Sequence, residues 1–189
     1  QAAVDLALWD IKGKIARMPV YKLLGGRRES AACYYSDGGW LYMSVPEMVA
    51  AFEPYLAQGM FGIKMKIGHA DYRTDIERVR GVRKALGDKV WIAVDANQKW
   101  DYPTAVRVGR ELEQLDVAWL EEPMLCEDIP GHARLAAELD IPIALGETLG
   151  SRYEFAAFLR AQAVDILQPD IIRVGGITEI VKVVTLADV

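Results

Sequence analysis

Two lysines and four acidic residues recur along this chain of 189 residues at intervals set by a repeating structural unit. Lys64 and Lys66 stand in GIKMKIG, Asp95 in VWIAVDAN, Glu121 in VAWLEEP, Glu147 in IPIALGE and Asp170 in VDILQPD, each in or just after a short apolar run. From Lys66 onward the steps are 29, 26, 26 and 23 residues. A strand, a crossover helix and their loops use roughly 30 residues, so this spacing delivers one charged group per strand end. In a (β/α) barrel those ends converge on one face, where active sites of that fold are built. Asp95, Glu121 and Glu147 each close an apolar run, and three carboxylates crowded together repel unless a cation neutralises them. An all-oxygen ligand set with room for water and substrate suits Mg2+, whereas Zn2+ would draw His or Cys.

Lys64 and Lys66 are two apart in one strand, so both side chains share a face. Lysines beneath covering helices are rare unless paired, which favours the interior face. Two ammonium groups side by side near a divalent cation lower each other's pKa by like-charge repulsion, and a lysine partly neutral at pH 7 is a competent general base. A plain salt bridge to a nearby carboxylate is the alternative. Asn97, two residues past Asp95, is placed to bind a substrate hydroxyl or carboxylate at the same mouth. Glu122 faces the other way along its strand and reads as structural or supporting. Asp101, before Tyr102 and Pro103, is assigned only as a helix N-cap. His69 and His132 read as surface residues. Gly175 and Gly176 precede a helix, where backbone N–H groups meet an anion or simply turn the chain.

The elements that must position these groups alternate without a linker or low-complexity stretch. Apolar, β-branched or aromatic runs at 31–35, 62–67, 90–94, 117–120, 141–145 and 164–167 predict six strands. Helical patterns fill 46–58, 72–86, 102–115, 129–138 and 152–160 between them. The strands are near-continuous apolar runs, the mark of parallel strands covered on both faces, and the βαβα order gives the α/β class. An open six-stranded sheet is the competing geometry. Val4, Leu8, Ile11 and Ile15 predict an opening helix, with a break at Pro19 and Gly25-Gly26, and a last helix covers 177–189. Both termini fall inside helical patterns, so the chain is expected to be the middle of a longer protein.

Apolar residues at 52% and charged residues at 26% describe a globular protein with a sizeable core. A net charge of −5 argues against a nucleic-acid partner. No apolar run approaches the ~20 residues that span a bilayer, so no membrane partner is expected. Cys33 and Cys126 form neither a disulfide framework nor a CxxC pair. Cys33 lies in a predicted strand and is expected to be a small buried hydrophobe. A cytoplasmic setting and a homo-oligomeric assembly are expected.

KMKIG, VDANQ, WLEEP, GET and QPDIIRVGGITE, in this order and spacing, resemble the mandelate racemase branch of the enolase superfamily, a likeness that runs from ALWDIKGK through nearly the whole chain. The resemblance implies a TIM-like (β/α)7β barrel behind an N-terminal capping domain. Residues 1–30 would be the helix and linker leading from that cap, and 31–189 a partial barrel of about six strands. It implies Asp95, Glu121 and Glu147 as Mg2+ ligands, Lys66 as the base on one face of a small-molecule carboxylate substrate, and Lys64 assisting at the carboxylate. Asp170 resembles the residue that orients a His from the seventh strand, expected past Val189. Glu rather than Asp as third ligand points to the racemase and sugar-acid dehydratase branch, away from the muconate-cycloisomerase and dipeptide-epimerase branch. The expected reaction is abstraction of the proton α to a carboxylate and dehydration of a sugar acid to a 2-keto-3-deoxy acid. Racemisation or epimerisation of a hydroxy acid is the alternative. Further alternatives are a Schiff-base aldolase using either lysine, which would leave the carboxylates without a purpose, and a non-catalytic barrel that binds sugar acids.

Overall fold

The computed structural model of this protein describes residues 1–188. Six strands form one sheet in the order β1-β2-β3-β4-β5-β6, and the pairs from β1–β2 to β4–β5 are all parallel. The strands are β1 (Tyr34–Tyr35), β2 (Gly62–Lys66), β3 (Trp91–Asp95), β4 (Leu120–Glu121), β5 (Ile143–Leu145) and β6 (Ile166–Leu167). An order that never reverses separates this topology from doubly wound open sheets, whose order reverses at a switch point. It matches the succession a (β/α) barrel uses.

Two compact units make up the chain. The larger, residues 32–144 with 161–166, holds most of the sheet and the helices α3 (Val45–Ala57), α4 (Tyr72–Leu86), α5 (Tyr102–Glu113) and α6 (Ile129–Glu138). Its core joins Ile63, Met65, Ile92, Val94, Leu120 and Ile143 of the strands to Met48, Phe52, Ile76, Val79, Val108, Leu112 and Leu135 of the helices. In α5 the buried positions Ala105, Val108, Gly109 and Leu112 follow the 3–4 spacing of one helix face. A Cβ at Gly109 would lie 2.3 Å from Leu139 Cδ1, so the glycine lets the Leu139 side chain pack close against α5. Asp71, Asp101 and Asp128 cap α4, α5 and α6, each side chain accepting a backbone N–H of the first turn. Asp101 thus has the capping role its sequence position predicts.

The smaller unit, residues 1–31, 145–160 and 167–189, holds α1 (Ala2–Ala16), α2 (Val20–Leu23), α7 (Arg152–Arg160) and α8 (Ile177–Ala187). The predicted break after α1 contains the short helix α2. Arg152 bonds both oxygens of Glu179, at 2.9 and 2.8 Å, tying α7 to α8. The anion at the Gly175-Gly176 turn is Asp5: its carboxylate accepts from Thr178 N at 3.0 Å and Thr178 Oγ1 at 2.5 Å. Both glycines sit at φ +109, and a Cβ on Gly176 would meet that carboxylate at 2.4 Å.

Strand pairing is shorter than the apolar runs. Only Tyr34 and Tyr35 of the 31–35 run pair with β2, which leaves Cys33 exposed, contrary to the buried role expected of it. Among the described residues no helix is long and apolar enough to cross a membrane.

Arg83 shows how the loops at the other strand ends are held. Only 9% exposed, it donates to the carbonyls of Leu115 (3.1 Å), Gly87 (3.1 Å), Val90 (2.6 Å) and Asp116 (2.7 Å). Buried carbonyls stripped of a donor cost about 1–3 kcal/mol each. Arg83→Met in the intact protein is therefore expected to lose about 3 kcal/mol or more in chemical denaturation, with Arg83→Lys intermediate.

Candidate functional site

Register decides which side chains meet. Lys64 pairs with Ala93, Lys66 with Asp95, Asp95 with Glu121 and Glu121 with Ala144. Side chains alternate along a strand, so Lys64, Lys66, Ala93, Asp95 and Glu121 share one face. Ile63, Met65, Ile92, Val94 and Leu120 take the other, under the helices. The lysines therefore stand on the face away from the helix-side core, as the sequence requires.

There the charges interlock. Lys64 Nζ donates to Glu121 Oε1 at 2.5 Å and lies 3.4 Å from Asp95 Oδ2. Lys66 Nζ reaches the same Asp95 Oδ2 at 2.5 Å and donates to Asn97 Oδ1 at 2.7 Å. Asp95 is fully buried and Glu121 is 1% exposed. Asp95 Oδ1 accepts from Asn97 N at 2.9 Å, and Asn97 holds φ 43, a left-handed conformation that asparagine tolerates. Burial pulls the Lys64 ammonium down, but the charge and hydrogen bond of Glu121, with Asp95 behind them, raise its pKa above the ordinary value.

Asp95 and Glu121 lie together on this face, and Glu147 is the third carboxylate that the sequence assigns to it. Asp95 and Glu121 end their strands as expected, whereas Glu147 stands two residues past β5, in a turn. Gly146 makes that turn at φ +145, and a Cβ there would come within 2.9 Å of the Gln168 backbone. Three carboxylates against two ammonium groups leave one formal negative charge, and the donors are hard oxygens of the kind Mg2+ takes. Asp170 follows β6, and its Oδ1 accepts from Ile172 N at 2.6 Å and Arg173 N at 3.1 Å, which fixes the carboxylate in the turn.

The strand order and this face define a member of the enolase C-terminal domain-like family, and the chain belongs to it: that family's model matches residues 47–189. Residues 1–25 match the mandelate racemase / muconate lactonizing enzyme N-terminal domain. An L-talarate/galactarate dehydratase of Salmonella typhimurium is 46% identical over 97% of this chain and 46% of its own length. A 3,6-anhydro-alpha-L-galactonate cycloisomerase of Streptomyces coelicolor is 40% identical over 99% of this chain and 52% of its own. Among solved structures, an L-talarate dehydratase from Polaromonas sp. JS666, complexed with Mg and L-glucarate, superposes with a TM-score of 0.95. It is 45% identical and is matched over 99% of this chain and 52% of that one. The chain spans about half the length of the curated relatives it matches.

Several residues around the site escape sequence reading. Gln98 Nε2 donates to Glu122 Oε1 at 3.2 Å, and Gln98 Oε1 accepts from Cys126 N at 3.1 Å, joining the loops after β3 and β4. Glu122 is buried in that supporting role. Asp75 and Arg78 lie on the buried side of α4, where their placement among Ile76, Val79 and Val82 is the one available signal. His69 is part-buried, with Nδ1 2.6 Å from Asp75 Oδ1.

His132, expected at the surface, is fully buried on α6, with Nδ1 3.0 Å from the Asp128 carbonyl. Burial pushes its pKa below the ordinary 6.5, and the Asp128 carbonyl and the charges of Asp128 and Glu122 offset this only in part. A depressed folded pKa gives stability that is present above about pH 6.5 and lost as pH falls toward the folded value. The intact protein should lose at most about 1.4 kcal/mol per pH unit through this group below pH 6.5. Denaturation at pH 7.5, 6 and 5 should show a flatter profile for His132→Leu.

Proposed function

We propose that this chain carries the metal ligands and one proton-transfer group of an enzyme that removes the proton α to a carboxylate and expels the β-hydroxyl, turning a sugar acid into a 2-keto-3-deoxy acid. The observation that carries the reading is the convergence of Lys64, Lys66, Asp95 and Glu121 on one face. Asp95, Glu121 and Glu147 would hold Mg2+, which supplies a Lewis acid for the substrate carboxylate. The divalent charge reverses the site's single negative excess, and an incoming carboxylate restores balance.

Lys66 takes the α-proton on its face of the substrate. Lys64, whose Nζ lies between Glu121 and Asp95, steadies the negative oxygens that develop when the proton leaves. Asn97, already bonded to Lys66, orients the base and is placed to meet a substrate hydroxyl. Asp170, pinned by two backbone N–H groups, would orient an imidazole for the opposite face. Self-association into a homo-oligomer is part of the proposal. A second reading, cycloisomerisation or epimerisation, is favoured by the cycloisomerase relative and shares the first proton transfer.

The test uses the intact protein with Mg2+ and a panel of mono- and diacid sugars, with 2-keto products detected by semicarbazide. Mg2+-dependent keto product from at least one acid is expected, with Lys66→Ala slower by about 100- to 10,000-fold. Calorimetry should show Mg2+ affinity falling more than about 100-fold in Glu121→Gln, beyond what loss of an outer partner causes. Equal affinity in both proteins overturns the metal site. Inversion or cyclisation without keto product moves the assignment to the second reading.

A further inference from the structure

The base proposed above is held by its backbone as well as by its side chain. The N–H of Ile67, just past β2, still donates to the Asp95 carbonyl at 2.9 Å, and Lys66 is the last residue of β2. Its N–H donates to the Gly39 carbonyl at 2.6 Å, and its carbonyl accepts from Arg78 Nη1 at 2.9 Å. Arg78 Nη2 donates to the Trp40 carbonyl at 2.8 Å, so one guanidinium grips both the end of β2 and the loop that receives the Lys66 N–H. Gly39 has no room for a side chain, since a Cβ would lie 2.5 Å from Met65 Cα. The two peptide planes flanking the Lys66 Cα are therefore both anchored from outside β2.

Asp75 extends the anchor. It is fully buried, and its Oδ2 accepts from Gly68 N and His69 N, both at 2.9 Å, while Oδ1 takes the His69 ring nitrogen. The same carboxylate lies 3.6 Å from Arg78 Nη1. A guanidinium only 8% exposed is costly to bury alone, and Asp75 supplies the opposing charge. The pair sits on α4, among core residues, and on none of the strands that carry the carboxylate cluster.

We propose that Arg78 and Asp75 are positioning residues for Lys66, fixing the peptide of the proton-abstracting lysine so that its ammonium returns to one place relative to the substrate α-carbon. This rests on the reading of Lys66 as the base. The reason for a charged clamp is geometric: the Lys66 carbonyl ends β2, the Trp40 carbonyl lies in the loop after β1, and a planar guanidinium reaches both at fixed angles. A displacement of about 1 Å at a reacting group costs about 100-fold in rate.

The experiment compares Arg78→Met, Arg78→Lys, Asp75→Asn and Lys66→Ala in the intact protein. Solvent deuterium exchange at the α-carbon is followed by NMR separately for the two substrate epimers, whose α-protons face opposite sides, alongside kcat, KM and Mg2+ calorimetry. Arg78→Met should slow exchange on the Lys66 face and kcat by about 100-fold, leaving opposite-face exchange, KM and Mg2+ affinity near wild type. Arg78→Lys should recover part of the loss. If Arg78→Met does not fold, Arg78→Lys and Asp75→Asn decide the matter by the same face-specific readout. Unchanged exchange in the variants, or equal loss on both faces together with metal affinity, overturns the proposal. Exchange that survives in Lys66→Ala overturns instead the assignment of the base.

Discussion

Two fully buried carboxylates on adjacent strands, Asp95 and Glu121, stand directly opposite each other in the sheet register. Left alone they would repel and draw protons, and neither would be tolerable in an apolar interior. The ammonium groups of Lys64 and Lys66 make the arrangement possible, with Asp95 Oδ2 shared between them. That compensation works only because the β2–β3 register sets Lys66 beside Asp95 and Lys64 one pleat below, beside Ala93. A slip of one residue would turn the lysines into the helix-side core and leave the carboxylates unpaired.

The outer layer of helices is built to hold that register. At some strand ends and loops, charged side chains from the helices bond backbone carbonyls. Arg83 serves four carbonyls at one set of loops, and Arg78 serves two at the other. Burying guanidinium groups on an apolar helix face opposes stability unless every donor is used or countered. Arg83 uses Nε and both Nη groups, and Arg78, countered by Asp75, holds the end of β2 that carries Lys66. The aspartate caps of α4, α5 and α6 do the same for the helix starts.

The lysine-carboxylate face suits reactions whose charge appears on carboxylate oxygens as a proton leaves the neighbouring carbon. The names of the relatives include both dehydratases and cycloisomerases. One proton abstraction can precede different departures, so one fold hosts different products.

The amino-acid sequence determined the strand ends, the pairing of Lys64 with Lys66 on one face, and the carboxylates of Asp95 and Glu121. Those signals are local: alternation within a strand and the length of a strand-helix unit follow from backbone geometry and need no distant neighbour. Tertiary structure decided the rest. The paired length of β1, and with it the exposure of Cys33, depends on which residues find partners in β2. His132 is buried because α6 turns it inward, a choice that one helical position among polar neighbours does not announce. Glu147 stands in a turn after Gly146, past the strand end its apolar run implied. Asp5 caps a helix 173 residues away. The raised pKa of Lys64 has its main opposing charge at Glu121, 57 residues along the chain. Electrostatic energy depends on distance in space and on burial, and neither is written in the spacing of residues along one strand.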